Sequence, residues 1–222
     1  LRRRMTHGIQ VSAWYSLSES LSTTGNSGDE LDITNIQNAA DPFSDVQFGP
    51  ARRSDARHRA TISAVIQLPY GFQVSPIWRY RSALPVNVVE GVDLNVDDVN
   101  NDIPLRAYAF DGVGNAPKDI GECTAINCGR GASLSQVNLR VSKSFAIGAG
   151  MRVEAIGEVF NLFNAKNPSG FGPFTNFQDK RLVINADGTT SPNATFLQPT
   201  TYAGDFQEPE QRVGQIGFRI IF

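Results

Sequence analysis

Between Gly91 and Pro104 the chain sets Asp93, Asn95 and Asp97 at alternate positions, and Asp98, Asn100 and Asp102 follow. Alternate oxygen-bearing side chains are how a calcium loop begins, because they converge on one hard cation. The match ends there. Asp98 stands where the sharp turn takes Gly, and Pro104 stands where a bidentate Glu is needed, so a full helix-loop-helix site is excluded. Two readings remain for this stretch: a partial calcium site on an outer loop, or a solvated loop rich in Asx turns.

Other reactive types are few. Cys123 and Cys128 are the only cysteines and sit five apart in a Gly, Asn and Thr-rich stretch. They form either a loop disulfide in an oxidising compartment or a pair of free thiols. His7 and His58, the only histidines, have neither metal-ligand nor triad spacing and read as structural. Glu154 and Glu158 share a strand face, as paired catalytic carboxylates do. Their place beside Arg152 fits a charge network better. No enzyme activity is expected, and no cofactor beyond the calcium candidate. The loop aromatics Phe171, Phe174, Phe177, Phe196, Tyr202 and Phe206 serve either ligand contact or packing of the loops on themselves.

The elements that position these residues are strands. Alternation of apolar and polar residues, in segments rich in Val, Ile, Phe, Tyr and Thr, marks about six of them: roughly Met5–Ser18, Arg57–Leu68, Phe72–Arg81, Leu134–Phe145, Met151–Leu162 and Arg212–Phe222. In the first, Trp14 is the exception on the polar face. Connections alternate strictly in kind. Long polar segments at about 19–56, 82–133 and 163–211 follow the first, third and fifth strands, whereas the second and fourth end in turns of a few residues. All the long loops therefore leave one end of the sheet.

Alternation alone fits both a soluble sandwich, apolar face inward, and a membrane barrel, apolar face toward lipid. Strands long enough to cross a bilayer at a tilt, loops long on one side only, and aromatics near strand ends favour the barrel. Charge parity agrees. Arg59, Arg79, Arg81, Arg140, Arg152, Glu154, Glu158 and Arg219 all fall on the polar face. Lys143 and Arg212 depart from it, but near strand ends, where a long side chain reaches the interface. The expected fold is all-β: an antiparallel transmembrane β-barrel segment with short periplasmic turns and long extracellular loops.

Composition narrows the partners. With 20 basic and 22 acidic residues the net charge is −2, so no basic field draws nucleic acid. No apolar stretch approaches the length of about 18 to 20 residues that a membrane-spanning helix needs. The abrupt opening Leu1-Arg2-Arg3-Arg4 reads as a cut inside a longer protein, with any export signal upstream. About six strands also fall short of the smallest closed single-chain barrels, which have about eight.

Six segments carry a family likeness: Gln211–Phe222, Glu158-Val-Phe-Asn-Leu-Phe-Asn164, Asp55-Ala-Arg-His-Arg59, Asp41-Pro42-Phe43, the 91–104 run and Val137–Phe145. Together they make the chain resemble TonB-dependent outer-membrane receptors, most of all the Oar-like branch with an N-terminal carboxypeptidase-regulatory-like domain. The resemblance implies the last strands of a barrel of about 22, filled by a plug, in the outer membrane. It implies energy-coupled import of a bulky ligand, a small molecule, glycan or peptide, with the TonB complex acting through the plug. This segment supplies wall, lumen lining and ligand-facing loops beside its own upstream barrel and plug. Ile216, Phe218, Ile220 and Phe222, alternating up to a terminal aromatic, resemble the signal read by the barrel-assembly machinery. The alternatives are a structural or adhesive surface barrel without transport, and a soluble extracellular carbohydrate-binding sandwich.

Overall fold

A computed structural model describes residues 8–22, 49–52, 54–94, 96, 98, 100, 102–148, 150–171, 178–202 and 211–222, together with the backbone of Arg2–Thr6. Seven strands form one antiparallel sheet in sequence order: β1 (Arg2–Thr6), β2 (Ile9–Leu17), β3 (His58–Gln67), β4 (Phe72–Arg81), β5 (Leu134–Gly148), β6 (Met151–Phe160) and β7 (Val213–Ile221). Each pairs only with its chain neighbours, and β1 and β7 are the open edges. This is a meander, the topology of a barrel wall.

The first expected strand is in fact a hairpin. Thr6 pairs with Ile9, and Gly8 turns the chain at φ 77°, a left-handed value that glycine adopts without steric cost. Alternation runs through the turn because Met5 and Ile9 fall on the same parity, which made two strands look like one. The wall consequently has seven strands rather than six, and its short connections become three: 7–8, 68–71 and 149–150. At the second of these Tyr70 also takes a left-handed conformation (φ 62°).

Burial runs opposite to that of a water-soluble sheet. On the polar face Gln136, Ser142 and Glu154 are 2%, 4% and 6% exposed, whereas on the apolar face Ile216 and Phe218 are 82% and 74% exposed. Val141 is also exposed, at the middle of β5. An apolar face turned to the surroundings is stable only against lipid, so the wall has its polar side inward. Aromatics mark both rims. Tyr70, Phe72, Phe145 and Phe222 lie toward the short-turn end, and Tyr15, Trp78, Tyr80 and Phe163 toward the other. Lys143, the charge on the wrong parity, stands over the Phe72 and Phe145 rings at 4.5 and 5.1 Å from their centroids, which shields its ammonium at the membrane edge.

The second departure lies in the long connections. These were expected to be polar loops, but they hold short strands that build a cap over the long-loop end. Gln178–Lys180, Pro85–Val89, Gly129–Arg130, Arg106–Ala109 and Lys118–Glu122 form a five-stranded sheet in that spatial order, mixed parallel and antiparallel. Pro168–Phe171 with Pro199–Tyr202, and Leu182–Ile184 with Thr190–Pro192, add two-stranded pieces. The main cluster of buried apolar side chains is here, not in the wall: Val86, Val88, Phe171, Phe196 and Leu197, with Tyr108 and Phe110 against it. Two edge-to-face contacts, Tyr108 with Phe196 and Phe110 with Phe171, lock it at centroid distances of 5.4 Å.

Candidate functional site

Inside the wall the side chains make a polar ladder. Register places Arg140 opposite Glu158, Glu154 opposite Arg219, and Glu158 opposite Gln215. Arg140 Nη1 lies 3.6 Å from Glu158 Oε1, Arg219 Nη2 lies 2.5 Å from Glu154 Oε2, and the Gln215 amide donates to Glu158. The two glutamates are thus held by different arginines across different strand pairs, as a charge network lining a lumen requires. Further along, the Gln136 amide donates to Asn138 Oδ1 at 3.3 Å, and the Gln73 amide to Ser75 Oγ at 3.3 Å.

The cap is fixed to this wall by side chains that accept backbone hydrogen bonds. Asp55, fully buried at the foot of β3, accepts from the Ser20 N–H at 3.1 Å and lies 3.3 Å from Arg130 Nη1 in the cap sheet. Asn161, at the top of β6 with φ 50°, donates to the Ala165 carbonyl at 3.0 Å and accepts from the Ala165 N–H at 2.8 Å. Its own N–H donates to Asn138 Oδ1, and Asn164 Oδ1 accepts from the Arg212 N–H. The Asn161-Leu-Phe-Asn164 run therefore shapes the corner where wall becomes cap, a role that sequence reasoning assigned to neither asparagine. Asn tolerates the left-handed conformation, and that was the available signal.

His58 also sits at this boundary, where its Nδ1 is 2.8 Å from the Tyr15 hydroxyl; His7 lies outside the described residues. Cys123 and Cys128 are bonded, with Cα atoms 5.6 Å apart. The small loop they close buries Ile126 and Asn127, and the Asn127 amide donates to the Pro50 carbonyl at 3.0 Å. Gly49 faces the Ile126 carbonyl so closely that no Cβ fits between them.

Of the calcium candidates, Asn95 and Asp97 fall outside the described residues. Asp93 is described: its Oδ1 accepts the Val96 N–H at 2.7 Å and its Oδ2 the Asp98 N–H at 2.9 Å. Asp102 Oδ2 accepts the Leu94 N–H at 2.6 Å. Both carboxylates therefore accept backbone N–H groups within the 93–102 loop. Ile216, Phe218, Ile220 and Phe222 share the exposed apolar face of β7 and its end. Of the loop aromatics, Phe171 and Phe196 are core and Tyr202 is half-buried, while Phe174, Phe177 and Phe206 are outside the described residues.

Elsewhere in the cap, Asp179 is 2% exposed, and its Oδ2 accepts the buried Leu197 N–H at 2.9 Å. Burial pushes its carboxyl up to about 7, with the Leu197 hydrogen bond opposing. Arg181 is held above its ordinary range first by its hydrogen bonds to Glu90, Nε to Oε2 being 2.8 Å. Between wall and cap opens a cavity of about 350 Å³ lined by Arg52 and Arg81, by Ser169, Thr200 and Thr201, and by the Phe171 ring.

Comparison with known families matches residues 1–196 to the outer membrane beta barrel domain. Neither the curated proteins nor the solved structures contain a match. The soluble-sandwich alternative is set aside by this match together with the inverted faces of the wall. Apolar strand faces toward lipid, polar faces inward, short turns at one end and a loop-built cap at the other make one account: the chain belongs to the outer membrane beta barrel domain family and resides in the outer membrane.

Proposed function

We propose that the chain is wall, lumen lining and ligand-facing cap of a TonB-dependent receptor of the Oar-like branch, importing a bulky ligand across the outer membrane. The observation that carries this reading is the cap itself: among the described residues the long connections build a packed layer with a cavity at its junction with the wall. A cap of this build suits capture of a ligand from outside. The sequence resemblance, carried by segments from Asp41 to Phe222, supports the same reading.

Two open edges, β1 and β7, need partners, since unpaired backbone groups in hydrocarbon are costly. Further barrel strands supply them, and a plug fills the lumen against the Arg140, Glu154, Glu158 and Arg219 network. Work for transport reaches the ligand from the TonB complex through that plug, and the chain itself performs no catalysis. Insertion depends on the barrel-assembly machinery, which reads the exposed face of Ile216, Phe218, Ile220 and Phe222.

Uptake is tested by following depletion of medium components by cells with and without the gene, each with and without a protonophore. A component whose depletion requires both gene and proton-motive force supports import. Equal depletion by all four cultures would leave the structural or adhesive barrel as the better account.

A further inference from the structure

The end of β4 separates two cavities. Successive side chains of a strand point to opposite faces: Arg81 lines the cavity of about 350 Å³ described above, whereas Tyr80 lines a second one of about 600 Å³. Tyr80 belongs to the face that the wall turns to lipid, so the second cavity lies where the cap meets the membrane side of the rim. Trp78, on the same face, stacks on the Tyr80 ring at 6.0 Å and donates its indole N–H to Ser135 Oγ at 3.0 Å. Amphipathic rings of this kind sit at the level of lipid head groups.

Two opposite charges share the lining, which is drawn wholly from described residues. Lys166 and Asp111 are both exposed, and among the described residues neither side chain has a hydrogen bond or an ion pair, with each other or with any third group. The remaining charge, Arg130, is already held by buried Asp55 at 3.3 Å. Phe110 joins Tyr80 as a second ring. A free cation alone would select an anion, and a free carboxylate alone a cation. One of each, beside aromatic faces, selects a group that carries both charges. Phosphoethanolamine is such a group: its phosphate accepts from an ammonium, and its own ammonium donates to a carboxylate and packs over a ring.

We propose that this cavity seats the phosphoethanolamine head group of a membrane lipid. Lys166 takes the phosphate, Asp111 takes the ammonium, and Tyr80 and Phe110 pack beside it. The membrane presents such head groups directly, because the cavity is continuous with the aromatic rim of the lipid-facing wall. A volume of about 600 Å³ admits the head group with the start of its glycerol. This seat is independent of import and rests only on the membrane orientation of the wall.

The complete barrel protein, purified in detergent, is mixed with equimolar phosphatidylethanolamine, phosphatidylcholine and phosphatidylglycerol of one acyl composition, and retained lipid is read by native mass spectrometry. Phosphatidylethanolamine retained above both others supports the seat, since phosphatidylglycerol lacks the ammonium and the ammonium of phosphatidylcholine has no N–H to donate. Lys166→Gln and Asp111→Asn are each expected to lower that preference by about fivefold. Arg106→Gln, in its own pair with Asp119 on the outer cap, leaves it intact. Heat-modifiable migration checks the fold of each variant, and if one does not fold the other decides. Retention in which phosphatidylethanolamine does not lead, or a preference that survives either substitution in a folded variant, overturns the proposal. Soluble phosphoethanolamine displacing the lipid at equal concentration overturns the membrane as the source.

Discussion

Asp179 shows how one carboxyl can couple the cap to pH. Its folded value of about 7 lies above the ordinary 3.8, so the folded cap takes up a proton over the interval in which the unfolded chain has lost it. Stability from this group is therefore complete below about 4 and is lost as pH rises through about 7. We predict that hydrogen-exchange protection of residues 86–89 and 178–180 is higher at pH 5 than at pH 8. Asp179→Asn keeps an acceptor for the Leu197 N–H and removes the charge, so protection in that variant should be nearly independent of pH. Retention of the parent's pH dependence would show that another group is responsible. Asp119 illustrates the contrast: its carboxyl is lowered, first by the Arg106 hydrogen bond, but the pair is exposed and contributes little to stability.

At the scale of elements, face parity makes the sharpest forecast. Val141→Arg, at the middle of β5 and toward lipid, should cost about 2 to 4 kcal/mol, whereas Ser144→Arg, on the inward face opposite Glu154, should be tolerated. Unfolding of the complete barrel in lipid vesicles by guanidinium measures both, and equal costs would contradict the assigned faces. This parity was legible in the sequence because a barrel strand carries its environment in every second residue, from Ile9 to Leu17 and again from Val213 to Ile221. The hairpin at Gly8 was not, since matching parity on either side concealed the turn. The cap was hidden for a different reason. Its strands are two to five residues long, too short to display a period, and its parallel pairing of residues 178–180 with 87–89 joins segments that no local pattern connects. Candidate chemistry divided likewise: the spacing of Cys123 and Cys128 marked a pair but left a disulfide and free thiols both open, while Arg52, Arg81 and the hydroxyls of the cavity come from four separated stretches that only the fold brings together.

For the whole molecule the seven-stranded wall is an incomplete surface. Expressed alone, residues 1–222 should associate with detergent yet exchange amide hydrogens rapidly along β7, where the backbone edge has no partner. Slow exchange there would mean that the sheet closes by some other pairing. The Cys123–Cys128 link should matter to the cap alone. By the chain-entropy argument a loop this short contributes about 2 kcal/mol, so reduction should raise protease cleavage within residues 105–130 without altering the heat-modifiable migration of the barrel. Cleavage unchanged by reductant would assign the clamp to Asn127 and Pro50 instead. The same bond fixes what the surroundings of the cell encounter. Because the cap has its own core, an antibody or phage that docks on it meets a shape assembled from distant segments; peptides copied from the loops should fail to compete, and mild reduction should weaken only recognition that centres on residues 105–130.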